Sequence, residues 1–531
     1  MMRYRYWIVL LGLMISVSAM ALDQVPEGTI AKRTGAATVD NSTYIDANAI
    51  LMFATNHGGY GHDLAGIFGL DVGTFYPYTD TASIRNGTNI NSPLYAGGLW
   101  LGGIVNDTIK VAVSEYVSEY VPGPMDNGTY QPDDPSFKVY KLYSDSLESN
   151  PNSDYLNWPV DQGAPVNVEG KPKMLGDQML WAVYNDADPA QHTPNSGSTA
   201  PLKVEVQHTF WASGDIPTCI FMRYKIFNRG VDTIKSCYLS LWADPDLGGA
   251  SDDLTGCDSL GNLFFCYNGD NDDSQYGATP PAIGYKILYG PLVPSPEDTA
   301  IFDGRTVADY RNLGMASSMK YVGGADPANY NETYNIMRGL LMNGSDYINP
   351  SNGNVTKFML SGDPISGTGD VDFSPGNRLM MGSCGPFTFN PGDSQYVLAK
   401  LAIGLGSDRL NSITILKAIL NEPYDFPSGV DDENPKLMPE RVQLGQNYPN
   451  PFNHATVIDY SIPRLSHVSI TVYDILGREV TTLIDAGQKA GSHQIHWNGT
   501  DYSGKPVASG IYLYCLKTEN VSEVRKMLLL K

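Results

Sequence analysis

Apolar and polar positions alternate over short runs along most of the chain. Within 202–211, Val204 and Val206 face one way and Glu205 and Gln207 the other. Within 467–473, Val468, Ile470 and Val472 share a face, and within 510–516 Ile511, Leu513 and Cys515 oppose Tyr512, Tyr514 and Leu516. A period of two over runs this short is the signature of half-buried antiparallel strands. Residues 95–105 and 108–113 read as a hairpin turning at Asn106-Asp107. The glycines of its aromatic first strand mark places where a ring or another backbone comes close. Residues 179–186 read as a further strand, and 219–227 with 233–242 as a second hairpin around 228–232. Helical spacing appears only at 410–420, with Leu410, Ile413, Leu416 and Leu420 on one side. The expected fold is mainly β: a large β-sandwich-like front region, in one or two sandwiches, followed by an immunoglobulin-like β-sandwich.

Punctuation divides the chain. Residues 1–21 place Arg3 and Arg5 before an apolar run and end in Ala19-Met20-Ala21, the pattern of a secretory signal peptide. No cysteine stands at the cut, so a lipoprotein anchor is not expected, and no other stretch approaches a spanning helix. Residues 22–420 form the β-rich passenger. Residues 421–436, with Pro423, Pro427, Pro435 and an acidic Asp431-Asp432-Glu433, read as an exposed linker. Residues 437–531 hold about seven short strands joined by turns such as Asn498-Gly499, where both residues tolerate positive φ.

The last segment carries ordered landmarks: Asn450-Pro451-Phe452-Asn453, then 458–463, then 472–480 around Gly477, then 496–500, then Gly510 and Tyr512, and finally Lys526 to Lys531. In that order they resemble the C-terminal sorting domain of cargo exported by the type IX secretion system. The resemblance implies passage through the periplasm to the outer-membrane surface or the medium. It implies recognition by the type IX machinery and cleavage near the linker by its sortase-like protease, with attachment to lipopolysaccharide as a further possibility. The front region is similar to that of uncharacterised type IX cargo, over about 97–406, which brings no activity with it.

Charge is uneven. From Leu437 onward nine basic residues stand against eight acidic, but 22–436 holds 24 against 49, a net of −25. Such a surface repels nucleic acid and anionic membranes and favours cations. The acids concentrate in one passage: Asp244, Asp246, Asp252, Asp253, Asp258, Asp270, Asp272 and Asp273, with no lysine or arginine among them. Clustered carboxylates on turn-rich backbone suit calcium, which takes six to eight oxygens in flexible geometry. A solvated acidic loop is the plainer alternative. The passage is not an EF-hand, because Thr255 and Thr279 occupy the places where its closing glutamate would stand. Six cysteines in an oxidising compartment permit disulfides. Cys257 and Cys266 flank a turn centred on Gly261-Asn262 and are candidates to bridge across it, whereas Cys515 reads as a buried thiol.

No catalytic signature accompanies this chemistry. Gly-x-Ser-x-Gly, His-Glu-x-x-His and phosphate-binding loops are absent, and the histidines of 56–62 lack metal-ligand spacing. The expectation is therefore a non-enzymatic surface or secreted module, stiffened by calcium, with a glycan or protein ligand. The alternative is a secreted glycosidase-like hydrolase drawing two carboxylates from the acidic passage.

Overall fold

The computed structural model describes residues 41–423 and 442–530, apart from 64–65, 69–72, 126–128, 132–133, 145–150, 168, 448, 454, 463–465, 489–490 and 519–520. The expected signal peptide, most of the linker and Lys531 lie outside the described residues. No helix among those described is long and apolar enough to cross a membrane.

Two antiparallel sheets make the front domain. In the first, the order runs Ser42–Ile45, Met52–Thr55, Gly59–Gly61, Ala96–Val105, Ile234–Asp244, Arg378–Phe389, Met315–Val322, with Thr108–Ala112 also on Ala96–Val105. In the second, it runs Asp253–Asp258, Leu263–Asn268, Ala282–Tyr289, Ser394–Gly404, Cys219–Asn228, Val204–Ala212, Gln178–Asn185, Val121–Pro122. Their inner faces share one core, where Leu99, Leu101, Leu239 and Leu241 meet Leu180, Phe210, Met222 and Leu401. Each fully buried side chain of this size contributes roughly 1.5–3 kcal/mol of transfer free energy. This is one sandwich, because strands from both ends of the passenger alternate between the same two sheets.

Both outer faces are covered as well. The helix Arg409–Asn421 lays Ile413, Leu416 and Leu420 on the second sheet, beside Trp211, Phe221 and Tyr396. It begins at Asp408, whose carboxylate accepts the amides of Leu410 and Asn411. A second helix, Tyr330–Met337, was not apparent from the pattern. It spans two turns, too few for a helical period to stand out. Asn329 caps it, and Tyr334, Ile336 and Met337 bury against Trp100 and Trp242 on the first sheet.

The hairpin at 95–113 forms as expected. Asn106 and Asp107 take φ of 49° and 60°, the positive pair a two-residue turn needs. A Cβ on Gly97 would strike the Tyr60 ring, and one on Gly98 the Ser114 carbonyl, which is why this strand is glycine-rich.

Two expectations are corrected. Residues 219–227 and 233–242 are strands but not a hairpin. Cys219–Asn228 pairs within the second sheet and Ile234–Asp244 within the first, so the bend between them crosses the sandwich. Asn228 holds that bend, its amide donating to Asp232 O and Phe389 O at 2.9 Å each. Cys257 and Cys266 are free buried thiols, like the other four cysteines. The turn is centred one residue earlier than expected, which sets Cys257 opposite Phe264 and Cys266 opposite Thr255.

The C-terminal domain packs a three-stranded sheet (Gln443–Leu444, Thr456–Ile462, Gly491–Trp497) with a four-stranded one (Glu479–Gln488, Ser466–Asp474, Gly510–Lys517, Ser522–Leu529). Seven strands enclose Ile458, Tyr460, Val468, Ile470, Trp497 and Tyr514 in an immunoglobulin-like sandwich.

Candidate functional site

The acidic passage sits where the chain leaves the first sheet at Asp244 and enters the second at Asp253. Seven of its eight aspartates separate into two groups with different chemistry. Asp258, Asp270 and Asp273 are turn caps. Asp258 accepts the Gly261 amide at 2.9 Å and Asp270 that of Asp272 at 2.8 Å. Asp273 accepts three amides, from Gly249, Gln275 and Tyr276. Asp272 is exposed.

Asp244, Asp246, Asp252 and Asp253 differ, because each has a buried carboxylate oxygen with no hydrogen-bond partner. Asp244 is 3% exposed, and its other oxygen accepts the Tyr116 hydroxyl at 2.6 Å. Asp253 is fully buried, opposite Asn268 across the strand pair, and accepts the Leu247 amide at 3.0 Å. Asp246 holds φ of 29°, a region costly for a residue with a side chain. The side-chain oxygen of fully buried Asn268 likewise lacks a partner.

Burial and close neighbours set the protonation of these acids. Desolvation, then the neighbouring Asp246, pushes the Asp244 carboxyl well above the usual range. Desolvation also carries Asp246 up to about 6, and raises Asp253 well above the usual carboxylate range, the latter aided by Asp246 and Asp252. Burial and mutual repulsion thus favour the neutral, protonated forms of Asp244 and Asp253, and ionising the group together would call for a counter-charge. Among the described residues no three His, Cys, Asp or Glu side chains already stand in metal-holding geometry. The expectation of one eight-carboxylate centre is therefore reduced to four carboxylates and one amide oxygen, all hard oxygen donors.

Local spacing gave no sign of a second buried polar group. His192 lies with Nδ1 3.5 Å from Glu119 and Nε2 2.9 Å from the Asp186 carbonyl. Glu119 accepts the amides of Val113 and Ser198, and Asp186 those of Leu202 and Val204. The three side chains latch the loop 187–203 to the sandwich. Asp186 and His192 lie six residues apart, but Glu119 comes from a distant segment, so only the fold brings it to them.

Four of the C-terminal landmarks, Asn450, Phe452, Gly510 and Tyr512, meet the last strand. After a cis Asn450–Pro451 bond, the Asn450 side chain accepts the Leu528 amide at 2.9 Å. Phe452 donates to Leu528 O and accepts from Leu530 N, both at 2.9 Å, while its ring packs 5.6 Å from Trp497. Asn453 is exposed beside it. Tyr512 donates to Ala508 O at 2.8 Å, the tyrosine-corner arrangement of such sandwiches, and Gly510 opens its strand. Gly477 takes φ of 76° in the turn after Asp474. Lys526 is exposed on the final strand, its carbonyl held by Gln446.

Residues 456–521 match the FlgD Ig-like domain family. The C-terminal domain is thus Ig-like by sequence family and by strand arrangement alike. No curated protein matches the chain. Among solved structures, a polysaccharide lyase aligns with 92% of this chain at 7% identity and a TM-score of 0.24, and the chain spans 46% of its length. Dimeric latent PorU from Porphyromonas gingivalis aligns with 92% at 9% identity and a TM-score of 0.15, over 32% of that chain. PorZ of the same organism, a surface component of its type IX secretion system, aligns with 68% at 10% identity and a TM-score of 0.13, over 45% of that chain. Scores this far below 0.5 carry nothing from those proteins to this one.

Proposed function

We propose that the chain is a type IX cargo protein: its C-terminal sandwich is the export address, and its front sandwich is a non-enzymatic surface or secreted module. The observation that carries this reading is the convergence of Asn450 and Phe452, either side of Pro451, on the last strand. Asn450 and Phe452 seat the strand Ser522–Leu529 in the seven-stranded Ig-like fold, a defined surface that an export receptor would read. The machinery's sortase-like protease would then act in the linker, with lipopolysaccharide as one acceptor. The acidity of the passenger excludes nucleic acid as the ligand. Fusing 437–531 to a reporter that carries a signal peptide should bring it to the surface of a type IX host. A reporter that stays periplasmic would refute the address.

Calcium belongs to the same reading. It would be held by Asp246, Asp252 and Asp253 with the Asn268 side-chain oxygen, giving their unpartnered oxygens a counter-charge and tying the crossing loop to both sheets. A cation bound only by the folded form at 100-fold its dissociation constant adds about 2.7 kcal/mol. The full chain should therefore melt a few degrees higher in millimolar calcium than in chelator, with Asp253→Asn removing the gain. Superimposable melts would sink the calcium part and leave the export part untouched.

A further inference from the structure

The hairpin Leu292–Phe302 and Arg305–Asn312 stands apart from both sheets and overhangs the end of Arg378–Phe389. A groove of about 480 Å³ runs between them, within the ~300–1,000 Å³ range of small-molecule sites. One wall is apolar and angular, with Leu292, Val293, Pro294, Pro386 and Phe387. The polar wall includes Ser236, Tyr310, Thr388 and Asp393.

Three features define what fits. The side-chain hydroxyls of Ser236, Tyr310 and Thr388 make no hydrogen bond among the described residues, so a ligand with many hydroxyls finds open donors and acceptors. Asp393 is the only ionisable carboxylate in the lining, and one of its oxygens is already taken by the amide and side chain of Asn390. With no cation lining the groove, an anionic ligand has no counter-charge. The Tyr310 ring is a planar aromatic surface for C–H faces, and Pro294 and Pro386 add apolar area beside it.

The groove is also preformed. Gln395 clamps Leu292 from both sides, accepting its amide at 2.7 Å and donating to its carbonyl at 3.1 Å. At the hairpin tip Asp303 pairs with Arg223 at 2.8 Å and Lys225 at 2.7 Å, which fixes the overhang to the second sheet. A rigid wall lowers the ordering cost of binding.

We propose that this groove binds a neutral saccharide, with Tyr310 and the prolines against the sugar ring and the three hydroxyls on its hydroxyl groups. The site is independent of the acidic passage and of the export address. The test is the full chain on an array of neutral and anionic oligosaccharides and extended peptides, followed by titration of the strongest neutral probe. Binding confined to neutral glycans is expected, weakened at least tenfold by Tyr310→Ala. Thr388→Arg, at an exposed position, should block the groove without altering the melt. Silence of every neutral glycan, binding by anionic glycans or peptides alone, or neutral-glycan affinity that survives Thr388→Arg would overturn the proposal.

Discussion

His208 sits inside the front sandwich with no exposed surface, and neither ring nitrogen has a hydrogen-bond partner. Its ring stacks on Phe210 at 4.5 Å and meets the edge of Tyr184 at 5.4 Å, with Tyr224 opposite across the strand pair. Burial alone lowers its pKa to about 3, so the folded protein keeps it neutral while the unfolded chain protonates near pH 6.5. The sign follows: the neutral ring's contribution is complete above pH 6.5 and is lost as pH falls toward 3. Between pH 7 and pH 5 only the unfolded state takes up the proton, which costs about 2 kcal/mol of stability. His208→Leu removes this loss without removing a hydrogen bond. For a domain of this size, with roughly 2.1 cal/mol/K per residue of unfolding entropy, the difference is about 2–3 °C in Tm. Melts of both proteins at pH 7 and pH 5 read it directly: wild type should fall by that much more than the variant. If His208→Leu does not melt cooperatively, His208→Gln serves the same comparison. Equal drops would show that the ring is protonated or solvated in the folded protein, contrary to the packing described.

Glu119 should show the opposite slope. Burial raises its carboxyl to about 8, so its contribution is full at low pH and is lost as pH rises toward 8. Glu119→Gln should flatten that part of the profile from pH 5 to 8, and an unchanged slope would contradict the burial argument. Phe452→Ala empties a buried site beside Trp497 and should destabilise the C-terminal domain by about 3–5 kcal/mol in urea unfolding; a loss under 1 kcal/mol would mean the motif does not seat the strand. Burial would raise the Asp303 carboxyl, but Lys225 and Arg223 hold it well below the carboxylate range. Asp303→Ala strands the buried Arg223 and should cost about 3 kcal/mol, with the loss visible as earlier thermal unfolding of the front domain.

The strands themselves were legible because apolar and polar side chains alternate along them even where both faces are covered, as in Val204–Ala212, and because Asn106-Asp107 specifies its own turn. The sheet to which a strand belongs was not. Cys219–Asn228 and Ile234–Asp244 look like hairpin partners by proximity, yet Asn228 routes the chain across the core, a decision made by hydrogen bonds to Phe389 far along the sequence. The Cys257 and Cys266 register failed for a related reason. Asp258 caps Gly261 and fixes the turn slightly earlier than the glycine-asparagine pair suggests, so the thiols do not face each other. The acidic passage was visible as composition, but its division into turn caps and unpartnered carboxylates depends on burial. The contact of Glu119 with His192 and the groove beside Tyr310 join distant segments and leave no local trace.

The export address is the claim on which the functional account rests, and deletion tests it most directly. Full-length protein and a chain ending at 436 would be expressed in a type IX host and located by surface protease treatment and fractionation. The account requires the full-length protein at the surface or in the medium and the shortened one folded in the periplasm. Equal surface delivery of both would contradict it.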